Sequence, residues 1–197
     1  MSKLLYLIRH GHALHNALFP TLGIQAFRIP EVIDSPLTEI GLSQASDLGD
    51  SWLDKAEIEL VLVSPLMRCL QTATAIFDPE TPMKCQEFLR EYPIGEDTCN
   101  KRSDTETLKD KFPTVNFTDI NLLNDSLWTE ERESIEGLDQ RIEEMITYLR
   151  GRPEKKIAIV SHSSYIGHFK DNHIAYQENG DEELKHCYPY EYLLKFN

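Results

Sequence analysis

Three short, largely apolar runs constrain the fold of this chain more than any other feature. They cover Leu4–Ile8, residues 58–63 and residues 157–160. Each has the length of a strand and is apolar on both faces, which is typical of a strand covered by helices on both sides of a sheet. A polar segment and then a helical pattern follow each run. The sequence therefore predicts an α/β fold, a three-layer sandwich with a mostly parallel central sheet flanked by helices.

Further elements are predicted from caps and periodicity. Thr38 begins a predicted helix that extends to about Lys55, and Pro65, directly after Ser64, is predicted as the first residue of a second helix. A third helix is predicted over residues 138–149, and weaker strands over about 83–89 and 192–196. Residues 92–134 are polar and irregular apart from a helical pattern near 106–112. We interpret this segment as an excursion from the scaffold that sets substrate specificity.

Size and charge limit the classes of protein and partner. At 197 residues the chain is predicted to form a single domain, 1–197. A net charge of −13 repels nucleic-acid backbones and anionic lipid, so we expect neither as a partner. No apolar stretch approaches the ~18 residues of a membrane span. The four cysteines are widely spread, which indicates reduced thiols and a cytoplasmic location.

Reactive side chains follow the predicted strands, at the point where each strand ends. Sites in α/β folds form beyond the carboxyl ends of the strands, so these side chains are expected to converge if the strands are parallel neighbours. In chain order they are Arg9 and His10, then Arg68 within Ser64–Arg68, then Arg90 and Glu91, and finally His162 within Ser161–Ser163.

This set of residue types fits phosphoryl transfer. Guanidinium groups present forks of N–H donors that suit a tetrahedral anion, an imidazole can attack phosphorus, and a carboxylic acid can protonate the leaving oxygen. Taken singly, Arg68 would be a helix-surface residue and Glu91 a solvated charge. His168, His173 and His186 are interpreted as ordinary hydrogen-bonding residues. The occurrence of these arginines, histidines and the glutamate at several strand ends favours the catalytic interpretation.

Four sequence blocks carry a resemblance to a known family. They are Leu7–Gly11 with Asn16 beyond it, Asp34–Ala45, Ser64–Ala73 and Val160–Ser163. In this order, from residue 4 to about residue 170, the chain resembles the histidine phosphatase superfamily, with its phosphoglycerate-mutase-like fold.

The resemblance implies a role for each matched residue. His10 would attack phosphorus and become phosphohistidine, while Arg9, Arg68 and His162 would hold the phosphoryl oxygens. Glu91 aligns with the proton donor, which protonates the leaving alcohol and then activates water. Secondary donors would be Asn16 and Ser163. His10 must be neutral to attack, and the neighbouring cations should lower its pKa. The implied partner is a small phosphorylated substrate, with no metal or other cofactor.

Departures from the family pattern bear on the reaction. The family's mutases have a Glu-Arg-His-Tyr-Gly type of segment after the proton donor, whereas this chain continues from Glu91 through Tyr92-Pro93-Ile94-Gly95. A mutase must keep water from its phosphorylated intermediate, so the difference favours a phosphatase, of the small mutase-like branch. Arg102 is predicted as an additional anion contact, the alternative being a solvated loop arginine. The residues around 186–189 leave the register of the last strand open.

Three other functions remain open on the sequence. The first is a bisphosphoglycerate-dependent phosphoglycerate mutase. The second is a zinc hydrolase, because His10, His12 and His15 resemble a His-x-His-x-Asp-His motif of metallo-β-lactamase-like enzymes, although Leu14 stands where the Asp is required. The third is a non-catalytic scaffold that binds a phosphorylated ligand.

Overall fold

The computed structural model describes residues 2–173 and 184–196. Its strands and helices, in chain order, are β1 (Ser2–Arg9), α1 (Leu14–Leu22), α2 (Glu39–Ser51), β2 (Leu60–Val63), α3 (Met67–Ile76), β3 (Met83–Cys85), α4 (Thr105–Lys111), α5 (Ile135–Arg150), β4 (Lys156–Ser161), α6 (Ser163–His173) and β5 (Pro189–Lys195). Short 3₁₀ turns connect several of them, including Leu53–Glu57 and Glu87–Leu89. Within the described residues, no helix is long and apolar enough to span a membrane.

The strands form one sheet in the order β3-β2-β4-β1-β5. The pairs β1–β4, β2–β4 and β2–β3 are parallel, and only β5 runs antiparallel, on the outer side of β1. Its register is set by the pairing of Ile8 with Pro189 and of Ser2 with Lys195. The predicted α/β fold with a mostly parallel sheet is confirmed, and the last strand begins three residues earlier than about 192.

Helices cover both faces of the sheet because successive strand side chains point to opposite sides. Tyr6 and Ile8 of β1 pack into a core with residues of α2 and α3. Leu5 and Leu7 pack into a second core with residues of α5 and α6. Strand β1 therefore separates two apolar cores, which explains why its sequence is apolar on both faces.

Helix α3 begins at Met67 and not at Pro65, because Leu66 is still extended, with φ −73° and ψ 136°. The backbone N–H of Met67 donates to Oδ1 of Asp34 at 2.7 Å, so a residue far away in the sequence caps this helix. The hydroxyl of Ser64 contacts His162 instead, at 2.9 Å. By contrast, Thr38 caps α2 as predicted, since its Oγ1 accepts from the N–H of Gly41.

The segment 92–134 is irregular except for α4 and a 3₁₀ turn at Thr98–Asn100. A buried ion pair ties it to the scaffold, because Arg90 donates to both carboxylate oxygens of Asp125, at 2.7 and 2.6 Å. Strand β3 is shorter than predicted and ends at Cys85, where the chain enters the 3₁₀ turn Glu87–Leu89. This turn brings Glu91 to the carboxyl edge of the sheet.

Candidate active site

A pocket of about 180 Å³ opens at the carboxyl edge of the parallel strands. Six of the predicted site residues line it, namely Arg9, His10, Asn16, Arg68, Glu91 and Ser163. They come from the end of β1, from α1, from α3, from the loop after β3 and from the start of α6. The convergence that the strand ends predict is therefore present in the structure.

The hydrogen bonds of His10 define which ring nitrogen faces the pocket. Its Nδ1 lies 2.7 Å from the carbonyl oxygen of Gly11, which can only accept, so Nδ1 must carry the proton. In the neutral ring Nε2 then holds a lone pair, and it accepts from Nε of Arg68 at 3.3 Å. The local backbone thus fixes the tautomer and directs the basic nitrogen toward the guanidinium.

Burial keeps His10 in this neutral form. The ring is 2% exposed, and its burial, followed by the positive charge of Arg68, holds the pKa of His10 well below its ordinary value of 6.5. Near neutral pH the Nε2 lone pair is consequently available for attack. A second histidine, His186, donates from Nδ1 to the carbonyl oxygen of His10 at 2.5 Å and holds the backbone there.

Arg68 is buried and oriented by the 92–134 segment. It lies in the first turn of α3 and is 1% exposed. One terminal nitrogen donates to the carbonyl of Cys99 at 2.7 Å, and the other donates to Oδ1 of Asn100 at 2.8 Å. Arg9, at the end of β1, donates to the carbonyl of Leu184 at 2.7 Å. The two guanidinium groups give the pocket a positive wall in a protein of net charge −13.

Glu91 is the acid of the pocket. Its Oε1 accepts from the backbone N–H of Tyr92 at 2.8 Å and from that of Tyr165 at 3.2 Å. Burial is the main influence and raises the pKa of this carboxyl above its ordinary value of 4.5, although the N–H donors and Arg68 oppose the shift. A carboxyl with a raised pKa is suited to deliver a proton.

His162 lies beside His10 and is fully buried. The two ring centroids are 5.1 Å apart, and Nε2 of His162 is 2.9 Å from the hydroxyl of Ser64. Burial, followed by the charge of Arg68, holds the pKa of His162 well below 6.5. The structure therefore places this histidine next to the nucleophile candidate, behind the surface of the pocket.

Two smaller polar residues complete the pocket wall. Asn16 uses its Oδ1 to accept from the N–H of Ala13 at 2.9 Å, so its amide nitrogen remains the group that can donate to a ligand. Ser163 is the first residue of α6. Both side chains line the pocket at positions that suit secondary donors.

The structure does not bring Arg102 into the pocket. Its Nε donates to Oε1 of Glu87 at 2.7 Å, and its terminal nitrogens donate to the carbonyls of Leu122, Leu123 and Asn124. Arg102 is 4% exposed, and its hydrogen bonds connect two parts of the 92–134 segment with each other. The expectation of an anion contact at Arg102 is corrected accordingly, because its donors are engaged within the protein.

Other pocket residues were not predicted from the sequence. His15, Tyr92, Asp97, Cys99 and Asn100 all line the pocket. His15 is buried, and its ring centroid is 5.9 Å from that of His10. The available signal for His15 is its place in the cluster His10-Gly11-His12-Ala13-Leu14-His15, a spacing that resembles a zinc motif instead. Asn100 has no comparable signal, because it reaches Arg68 only through the folded 92–134 segment.

The zinc-hydrolase alternative does not match the side-chain positions. Nδ1 of His12 contacts the hydroxyl of Thr38 at 2.9 Å, while Nδ1 of His10 faces the Gly11 carbonyl. Among residues 2–173 and 184–196, His10, His12 and His15 do not form a group with ligand atoms close enough to share a metal ion. The motif-like spacing is therefore not accompanied by a chelating geometry.

Comparison with known proteins gives the same family as the sequence blocks. The family description "Histidine phosphatase superfamily (branch 1)" matches residues 5–178. Phosphoglycerate mutase-like protein 1 of Arabidopsis thaliana is 32% identical over 200 residues, covering 84% of this chain and 70% of that protein. A Schizosaccharomyces pombe protein named a probable phosphatase is 29% identical over 181 residues, covering 86% and 78%.

Solved structures with the same fold are also found. The α-ribazole phosphatase of Shigella flexneri is 26% identical with a TM-score of 0.56, covering 83% of this chain and 75% of that chain. The ecdysone phosphate phosphatase of Bombyx mori is 16% identical with a TM-score of 0.58, covering 98% and 89%. At this lower identity the second structure shows the shared fold alone.

Proposed function

Because the chain belongs to the histidine phosphatase superfamily, we propose that it is a phosphomonoester hydrolase that works through phosphohistidine at His10. The observation that carries the proposal is the fixed tautomer of His10. A carbonyl holds the protonated Nδ1, and the unprotonated Nε2 faces Arg68 in the pocket. An unprotonated ring nitrogen in the pocket is what nucleophilic attack on phosphorus requires.

The reaction proceeds in two displacements. In the first, Nε2 of His10 forms a bond to phosphorus, the ester P–O bond breaks, and the carboxyl proton of Glu91 goes to the leaving oxygen. In the second, the Glu91 carboxylate takes a proton from water, the water oxygen bonds to phosphorus, and the P–N bond breaks. Arg9 and Arg68 offset the charge on the phosphoryl oxygens. We assign the third donor to His162, whose ring lies 5.1 Å from that of His10 between centroids.

The residues that follow Glu91, up to Asp97, favour hydrolysis over mutase activity. Tyr92 and Asp97 line the pocket in place of the segment that the family's mutases carry, and Asp97 is ion-paired with Arg28 at 3.1 Å. The segment 91–97 contains no lysine or arginine that could bind the second phosphoryl group of a bisphosphorylated intermediate. Retention of such an intermediate is therefore disfavoured, and water can complete the reaction.

The proposed substrate is a small phosphomonoester. The pocket volume of about 180 Å³ lies below the ~300 Å³ at which pockets for drug-sized ligands begin. The negative charge of the whole protein disfavours nucleic acids and polyphosphates. All four cysteines are free and buried, which supports a reducing compartment, and we propose a cytoplasmic location.

The proposal is tested with 3-phosphoglycerate and an aryl phosphate, following free phosphate and 2-phosphoglycerate, each with and without 2,3-bisphosphoglycerate. We expect phosphate release and acid-labile phosphate on the protein, both of which are lost in His10→Ala. His12→Gln is the matched control, because this imidazole is two residues away and contacts Thr38.

Each alternative has its own outcome. Bisphosphoglycerate-dependent formation of 2-phosphoglycerate would make the protein a mutase. Binding of phosphate esters without turnover of any substrate would make it a scaffold. Wild-type activity in His10→Ala would remove the nucleophile from the proposal.

A further inference from the structure

A second cluster of titratable side chains lies away from the pocket, between α5 and α6. Asp139 of α5 and both His168 and His173 of α6 converge there. Oδ1 of Asp139 is 2.6 Å from Nε2 of His168 and 3.0 Å from Nε2 of His173. Both histidines lie on α6, five residues apart, and Asp139 of α5 contacts both of them.

We propose that Asp139, His168 and His173 bind a divalent transition-metal ion, with Zn²⁺ as the best match. Their three ligand atoms lie within 4.8 Å of one another. In a tetrahedral zinc site with bonds of about 2.0–2.1 Å, ligand atoms are about 3.3 Å apart. The two nitrogen–oxygen distances, 2.6 and 3.0 Å, are shorter than this, so side-chain rotations that separate the three atoms would admit the ion. Two imidazoles and one carboxylate form a common zinc ligand set.

The surroundings of His173 support a metal rather than a simple ion pair. Its Nδ1, the nitrogen that would face away from the ion, is 3.3 Å from Oε1 of Glu143. An imidazole that ligates through one nitrogen usually donates from the other to a carboxylate, which orients the ring and increases its basicity. Glu143 occupies this outer position. At His168 the amide nitrogen of Asn172 donates to the backbone carbonyl of His168 at 3.0 Å and lies 3.3 Å from Nδ1.

Accessibility also fits an exchangeable ion. The His168 and His173 side chains are 19% and 12% exposed, while that of Asp139 is 45% exposed. Solvent can therefore supply the remaining ligand, and the ion can enter without unfolding.

This site is separate from the candidate active site. None of Asp139, Glu143, His168 or His173 lines the pocket. Helix α6 begins at Ser163 in the pocket and ends at His173 in the cluster. An ion here would fix the last turn of α6 to α5, which predicts stabilisation of the fold by the bound metal.

The test is titration of chelator-treated protein with Zn²⁺, followed by calorimetry, and with Co²⁺, followed by its visible absorption. We expect one ion per chain and an increase in the unfolding temperature. His168→Gln and His173→Gln should each weaken binding at least tenfold, and the outer-position variant Glu143→Gln should weaken it by about 10-fold. The His15→Gln variant is the control, because it removes an imidazole from the other histidine cluster.

Three outcomes would overturn the proposal. They are the absence of Zn²⁺ binding to the wild type, unchanged affinity in both cluster variants, and loss of binding in His15→Gln with retention in His168→Gln, which would move the ion to the pocket. The metal-free unfolding temperature of each variant is measured in parallel. A variant that folds as the wild type does, yet no longer gains stability from Zn²⁺, assigns the effect to the ligand set.

Discussion

Glu91 has an environment unlike that of an ordinary surface carboxylate. One of its carboxylate oxygens accepts hydrogen bonds from the backbone N–H groups of Tyr92 and Tyr165, which lower the pKa. Burial nevertheless raises the pKa of Glu91 overall. Its proton is therefore bound more firmly than that of a solvated glutamate. In the proposed reaction this proton goes to the leaving oxygen, so the need for it depends on the leaving group.

Replacement Glu91→Gln should affect alkyl phosphates far more than aryl phosphates. We expect a loss of about 10²–10⁴-fold in kcat for an alkyl ester, because general acid catalysis contributes that much, and a much smaller loss for an aryl ester. Steady-state kinetics on both substrates gives the ratio. Equal losses on the two esters would assign Glu91 a structural role instead.

The same residue predicts a pH profile. The donor must be protonated, so alkyl phosphate turnover by the wild type should fall as pH rises through the raised pKa of Glu91, above 4.5. Burial holds the pKa of His10 well below 6.5, which favours the neutral nucleophile. The fall should be shallower with an aryl ester, which needs less protonation. An alkyl profile that rises throughout this range would contradict the assignment.

The residues that sequence could predict are those attached directly to strand ends. Arg9 ends β1 and His10 follows it, and Arg68 follows β2 after a short turn, so their convergence requires only a parallel sheet. Arg102 and Asn100 belong to a segment whose path depends on tertiary contacts. Their roles could not be inferred, because the sequence does not distinguish an arginine that binds a ligand from one that donates to backbone carbonyls.

At the scale of elements, the loop that carries His10 is seated on the first turn of α2. The N–H of Thr38 donates to the carbonyl of His12 at 2.9 Å. The backbones approach so closely that a Cβ on Gly41 would lie 2.1 Å from this carbonyl oxygen, and a Cβ on Gly11 would lie 2.6 Å from the Gly41 carbonyl oxygen. Both glycines are required for this contact.

Gly41→Ala should therefore lower both stability and activity. Overpacking of this kind costs about 1–3 kcal/mol, and displacement of the His10 loop should reduce turnover. Gly167→Ala is the matched control, since a Cβ there meets nothing within 4 Å in α6. It should raise stability by about 0.5–1 kcal/mol. Urea unfolding and turnover of an aryl phosphate compare the two, and a Gly41→Ala protein as stable as Gly167→Ala would refute the contact.

Element boundaries show where local sequence signals suffice. Thr38 caps its own helix, and the apolar stripe of α5 ends close to the predicted boundary, at Arg150. Helix α3 starts later than its Ser-Pro signal predicts, because Asp34 supplies the cap and Ser64 is engaged with His162. A capping carboxylate that lies 33 residues away in the sequence leaves no pattern in the residues next to the helix.

For the whole molecule, three buried histidines determine how stability responds to acid. Burial holds the pKa of His10, His15 and His162 well below 6.5. Below pH 6.5 the unfolded chain binds protons that the folded protein does not, so stability falls as pH falls. Each imidazole can lower the free energy of unfolding by at most about 1.4 kcal/mol per pH unit. The raised pKa values of Asp34 and Glu91 act in the opposite direction, at pH values above the ordinary 3.8 and 4.5 of these carboxyls.

Urea unfolding between pH 7.5 and 5.5, a window chosen around the ordinary imidazole value of about 6.5, measures this slope. We expect the free energy of unfolding to decrease steadily toward the acid end. His15→Phe should reduce the slope, because it removes one of the three imidazoles. A phenyl ring should be accepted there, since Nδ1 of His15 has no hydrogen-bond partner in the described structure and its ring packs against Phe27 at 5.7 Å between centroids. Stability that stays constant or rises on acidification would contradict the prediction.

Strand β1, with one core on each face, also has a consequence for insertions and deletions. Substitutions within it change the packing of one core, but a single residue inserted between Leu4 and Arg9 would exchange the side chains of the two faces beyond that point. The same shift would turn His10 away from Arg68, even though every residue remained present. Changes in chain length during the divergence of such proteins should therefore accumulate in segments such as 92–134 and spare this strand.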